Sequence, residues 1–125
     1  MKIVDRETFM ALPENTLFSK WEPCVFGELT IKGKSWEHDF QMQEIASAVK
    51  CNDSGEFVDL CDHAARTGES VALDLDCMGR DGCFDEEQMF AVWEAEDVLA
   101  LIERLKACVP NAGVKGRKPA PERTA

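Results

Sequence analysis

Cys61, His63, Cys77 and Cys83 are the residues in this chain with the chemistry of a zinc site. Thiolate sulfur and neutral imidazole nitrogen are the donors Zn²⁺ prefers, and a closed site needs four of them. The spacing argues the other way: Cys61-x-His63 and Cys77-x5-Cys83 match no common finger or ribbon. A thiol on a helical stripe packs as a small hydrophobe. A calcium loop is the second candidate. Asp74 and Asp76 would fill its first and third positions and Gly79 its sixth. Met78 takes the fifth position, where an oxygen is required, and Asp85 stands where a bidentate Glu belongs. The competing reading is a polar connection in which Gly79 and Gly82 supply positive φ. Nucleophilic catalysis would need Cys77 or Cys83 beside His38, with Asp39 as the orienting third group. No nucleophile elbow, phosphate-binding glycine loop or His-Glu-x-x-His run accompanies them. The expectation is a protein that is not an enzyme and holds no cofactor.

Two further groups of residues suit binding. The stretch 74–87 carries Asp74, Asp76, Arg80, Asp81, Asp85, Glu86 and Glu87, a charged segment suited to contact with a basic protein surface. Trp36 and His38 lie in the polar run Lys34-Ser-Trp-Glu-His38 and, with Arg80, would make a small polar-aromatic pocket for a small ligand or nucleotide. A Trp in such a place is either a lid over the core or a binding anchor.

Charge narrows the partners. The chain has 125 residues and a formal net charge of −10, but residues 110–125 carry +3, which leaves −13 on residues 1–109. A body that acidic is repelled by nucleic acid and by anionic membrane, and is drawn to basic protein. No apolar run approaches the roughly 20 residues that span a bilayer. The first residues lack a signal-peptide core, so the expected compartment is the reducing cytoplasm, with the six Cys as free thiols. Exposed Phe and Trp on a second sheet face would allow a homodimer.

The elements that must hold these residues follow from periodicity. Asp5 caps a short helix, stapled by Val4 and Phe9 and stopped at Leu12-Pro13. Thr16–Trp21, Cys24–Lys34 and Asp39–Ile45 read as strands, with Gly27 at a bulge in the second. Asp53 and Glu56 open a helix whose apolar stripe is Phe57, Leu60, Cys61 and Ala64, and Gly68 closes it. On its wet side Asp62 pairs with Arg66, as Asp59 would with His63 once His63 is protonated. Val71–Asp76 alternates as a half-buried strand, and Gln88–Trp93, apolar on both faces, reads as a central one. Glu94–Val109 is the last helix, with Val98, Leu101, Ile102 and Leu105 as its buried stripe. The expected fold is a single α+β domain over 1–109, with a mostly antiparallel, curved sheet of about five strands and three helices in the order α-β-β-β-α-β-β-α. Residues 110–125 read as a disordered basic tail.

Three segments carry a family likeness: Arg6-Glu-Thr-Phe-Met-Ala-Leu-Pro-Glu-Asn-Thr-Leu-Phe-Ser-Lys20, Glu22-Pro-Cys-Val-Phe-Gly-Glu-Leu29 and Asp76-Cys-Met-Gly-Arg-Asp-Gly-Cys-Phe-Asp85. Each resembles short uncharacterised proteins encoded by phages and prophages. The resemblance brings no catalytic motif. It implies a context, in which small acidic phage proteins act as accessory factors that bind host proteins, some of them blocking antiviral defence.

Overall fold

Phe9, Phe18, Phe40 and Phe90 come from four separated stretches of sequence and meet as one fully buried cluster. Phe9 stacks on Phe90 with ring centroids 3.9 Å apart and meets Phe18 and Phe40 edge to face at 4.6 and 5.0 Å. The computed structural model, which describes residues 1–110, builds an α+β domain around this cluster. In chain order the elements are β1 (Lys2–Val4), α1 (Arg6–Met10), β2 (Leu17–Glu22), β3 (Val25–Phe26), β4 (Thr30–Ser35), β5 (Phe40–Glu44), α2 (Ser54–Thr67), β6 (Gly79–Arg80), β7 (Met89–Val92) and α3 (Ala95–Lys106). The strands form one open antiparallel sheet in the order β1-β7-β2-β4-β5-β6, with β3 paired to β2.

Local chemistry explains most of these boundaries. The Asp5 side chain accepts from the Thr8 N–H at 2.8 Å and starts α1, which lays Phe9 into the cluster. Asp53 does the same for α2 through the Glu56 N–H, while Glu56 reaches back to the Asn52 N–H. Gly68, with φ of 76°, ends that helix in the left-handed conformation that costs glycine least. Asp62 and Arg66 pair at 3.0 Å as their spacing requires. His63 does not pair with Asp59: its ring meets Glu69 at 2.8 Å beyond the helix end.

The sheet has seven strands where five were expected. The three added ones, β1, β3 and β6, are two or three residues long, too short for alternation to register. β3 and β4 are one expected strand interrupted near Gly27, whose N–H reaches Lys20 O at 2.8 Å. Val71–Asp76 is not a strand. It meets the 48–50 segment through a single bridge, Val49 to Leu73, and two backbone bonds, Lys50 N to Ala72 O and Asp74 N to Ala48 O. Leu73 and Leu75 stay exposed, because β6 occupies the edge of β5 that a longer strand would have needed. Gly79 sits in β6 without positive φ; Gly82 (67°) and Phe84 (53°) make the turn instead. The stripe on α3 is not buried either. Val98 and Leu101 are half-buried, while Ile102 and Leu105 face water. On α2, Phe57, Leu60, Cys61 and Ala64 are all half-buried, the side their spacing selects. The tail expected at 110–125 lies, but for Pro110, outside the described residues.

Candidate functional site

Two charged side chains that the fold buries do the positioning. Arg6 is 6% exposed. Its Nη2 donates to the His38 carbonyl at 2.9 Å and its Nη1 to the Asp85 carbonyl at 3.4 Å, and the guanidinium lies 5.7 Å from the Phe40 ring centre. Asp39 is 4% exposed. Its Oδ1 accepts from the Phe40 N–H (2.8 Å) and the Gly82 N–H (3.0 Å), and its Oδ2 accepts from Arg80 Nε (2.9 Å). Burial pushes the Asp39 carboxyl up, and the donors of Gly82, Phe40 and Arg80 outweigh it, so it is held below the usual aspartate value. Arg6 and Asp39 thus each tie the β4–β5 connection to the 80–85 loop, across 32 to 79 residues of sequence.

What they tie together is a pair of adjoining cavities. One, about 360 Å³, is lined by Trp36, Glu37, His38, Asp39 and Arg80. The other, about 450 Å³, is lined by Asp5, Arg6, Glu7, Met10, Glu37, His38 and Glu86. Glu37 and His38 line both, so the two adjoin at these residues in one recessed surface, the Trp36 cleft. Trp36, 48% exposed, stands in its wall and is an accessible aromatic, not a lid. Four carboxylates, Asp5, Glu7, Glu37 and Glu86, line the second cavity. The hydrogen bond with Thr8 keeps Asp5 below the usual aspartate value, so it stays charged at neutral pH. The cation in that cavity, Arg6, is engaged with the two carbonyls.

The structure brings Trp36, His38 and Arg80 together, as their chemistry suggested. It divides the acidic loop. Glu86 lines the cleft. Asp85 and Glu87 are exposed, and the Asp85 side chain takes the Glu87 N–H. Arg80 is turned to Asp39. Asp74 and Asp76 lie in another place: Asp74 accepts the Asp76 N–H and lines a cavity with Cys51 and Cys77. The Asp81 carboxylate is withdrawn from solvent, with its side chain fully buried and Oδ1 2.5 Å from Lys20 Nζ. Burial pulls the Lys20 ammonium down, but the Asp81 carboxylate more than offsets it and leaves it above its usual value.

The metal and catalytic candidates do not assemble. Among the described residues no group of three or more His, Cys, Asp or Glu is placed to hold a metal ion, so Cys61, His63, Cys77 and Cys83 stay apart as a ligand set. All six cysteines, Cys61, Cys77 and Cys83 among them, are free thiols. The neighbour of Cys83 is Lys20 Nζ, at 3.7 Å, not a histidine. Asp39 spends its oxygens on Phe40, Gly82 and Arg80 and none on His38, which faces Glu37. Sequence reasoning missed Arg6, Asp5, Glu7 and Glu37 as site residues. Arg6 left one readable trace, a cation in the first turn of a helix, where the dipole disfavours it. No family model matches this chain, and no curated protein or solved structure matches it significantly. Among the described residues no helix is long and apolar enough to cross a membrane.

Proposed function

We propose that this domain is a non-catalytic interaction protein that docks on a basic surface of a partner protein through the Trp36 cleft. One observation carries the reading: four carboxylates line a cavity beside an accessible tryptophan, while the arginine within it is already engaged. A lysine or arginine side chain of the partner would enter between Glu37 and Glu86 and lie near the Trp36 face, where the ring quadrupole adds to the carboxylate attraction. Glu87 and the exposed carboxylate of Asp85 would extend the acidic rim and steer the encounter. With the phage-type resemblance, the reading becomes an acidic phage accessory factor that works in the host cytoplasm on a host protein, a defence or nucleic-acid-binding factor whose basic face it occupies. Calorimetric titration with a lysine- and arginine-rich peptide tests the cleft. Affinity should fall as salt rises, and the pair Glu37→Lys and Glu86→Lys should weaken it by about a hundredfold, the 2.7 kcal/mol or so expected of two reversed contacts. An affinity indifferent to both salt and charge reversal refutes the reading.

The cavity of Trp36, His38 and Arg80 supports a second reading, a small-ligand or nucleotide site, since about 360 Å³ lies within the range of ligand pockets. A melting temperature raised by one member of a nucleotide panel, and lowered again by Arg80→Ala, would favour it over the first.

A further inference from the structure

We infer that the chain pairs with a second copy of itself through α3. Ala95, Val98, Ile102 and Leu105 follow one another along α3 at spacings of three, four and three, the seam pattern of a helix that packs against another helix, and Val109 follows four residues on, past the helix end. Among the described residues Val98 is half-buried and the rest of that seam is left open. No residue of α3 is buried, and Leu99, Ile102, Leu105 and Val109 are 64%, 49%, 48% and 54% exposed. Yet the helix is built with care. Glu94 and Asp97 form a reciprocal capping box, and the charge runs from Glu96 and Asp97 in the first turn to Arg104 and Lys106 in the last. Twelve residues that meet the domain only through half-buried Val98 and Leu101 are weakly supported as a helix in water, so a cover on the exposed side would stabilise them.

Charge and area select the cover. The protein as a whole carries −10, but the surface around α3 is balanced. Glu94, Glu96, Asp97 and Glu103 are set against Arg104, Lys106, Lys2 and the amine of Met1, which bonds Glu94 at 3.0 Å and Asp97 at 2.6 Å. Two copies that repel elsewhere can therefore approach here. A two-fold axis perpendicular to the helices would set them antiparallel, with opposed dipoles. The four exposed side chains offer on the order of 400 Å² of apolar surface per copy, the size of a functional patch on a monomer. Two such faces supply on the order of 800 Å², the size of a weak, transient pairing.

Salt separates this inference from the cleft. Dimers of a −10 chain lose repulsion as salt rises, so pairing strengthens, whereas binding of a basic partner weakens. The experiment is sedimentation velocity on the full chain across a wide concentration range at low and high salt. The expected result is a species of twice the 14.0 kDa chain mass that gains population with concentration and salt. Ile102→Glu should shift the dissociation constant up by at least about a hundredfold with the circular dichroism spectrum kept, and Leu99→Glu, at the flank of the seam, by about tenfold. A wild-type chain that stays monomeric at every concentration and salt overturns the inference, as does a dimer that survives both substitutions. If Ile102→Glu unfolds, the wild-type series and Leu99→Glu still decide. The peptide titration of the cleft is read on the same preparations, so either proposal can fail without the other.

Discussion

Arg6→Met is the substitution that tests the site most directly, because it keeps the apolar stem and removes the guanidinium. Three interactions go. The bond to the His38 carbonyl at 2.9 Å is well formed and charge-assisted, worth about 1.5–3 kcal/mol where both groups stay dry. The bond to the Asp85 carbonyl, at 3.4 Å, is long and adds only a fraction of that. The guanidinium over Phe40 at 5.7 Å adds about 0.5–1 kcal/mol. His38 and Asp85 are exposed residues, so water can reclaim part of what the carbonyls lose. The net expectation is a loss of about 2 kcal/mol, a drop of about 10 °C in the melting temperature of a domain this size. Urea unfolding followed by tryptophan fluorescence measures it. A second readout separates positioning from stability. With the tether gone, the 36–38 connection and the 85–87 segment no longer share an anchor, so affinity for the basic peptide should fall about tenfold at temperatures where the variant remains folded. A stability change under about 0.5 kcal/mol would refute the claim that Arg6 is a buried cross-link. Normal peptide affinity in a destabilised variant would refute its role in shaping the cleft.

Lys32 is 1% exposed and meets no carboxylate at bonding distance: its Nζ donates to Leu12 O at 2.8 Å and Gly33 O at 3.2 Å, 5.7 Å from the Phe9 ring centre. Burial pulls it below the usual lysine value of 10.5, with Glu14 opposing. The unfolded chain then binds more protons between the folded value and 10.5, so wild-type stability should rise with pH through that window, and Lys32→Met should flatten the rise in a pH series of urea midpoints. Glu44 is raised above the usual 4.5, first by its hydrogen bond with Glu28, then by burial and the charge of Glu28, with Lys20 opposing. The folded state holds that proton more tightly, so stability should fall as pH rises through the window above 4.5. Glu44→Gln should raise the melting temperature at pH 7 and lose the gain at pH 4; a gain equal at both pH values contradicts the carboxyl pair.

Patterns that repeat, or that cap an element locally, were legible in the sequence. Asp5, Asp53 and Gly68 mark helix ends by chemistry that acts over three or four residues, and Gln88–Trp93 declared itself central by being apolar on both faces. Alternation in Val71–Asp76 was genuine, but a strand also needs a free neighbour, and that is a property of the whole sheet. The helical stripe of α3 was equally genuine, and its burial failed because nothing among the described residues covers it. For the site, Trp36, His38 and Arg80 stood out as residue types seldom spent on a polar connection, and they do converge. Asp81 looked like one more surface carboxylate. Its carboxylate is buried against Lys20, which is 61 positions away on β2. Arg6 was illegible for the same reason, because its acceptors are backbone carbonyls, which every residue has.

The place of β7 bears on how the chain is made. Residues 89–92 insert between β1, residues 2–4, and β2, residues 17–22, so the two earliest strands are joined only by one of the last segments to be synthesised. Phe9 cannot find its stacking partner Phe90 until then. At about 5–20 residues per second, the ribosome takes on the order of 4–14 s to run from the end of β2 to the end of β7. During that interval Phe9 and Phe18 wait beside open strand edges, the condition in which nascent chains meet chaperones or one another. Emergence of a four-residue strand therefore completes the sheet and the core, and premature termination before Met89 would leave Phe9, Phe18 and Phe40 without Phe90 and β1 without a partner strand.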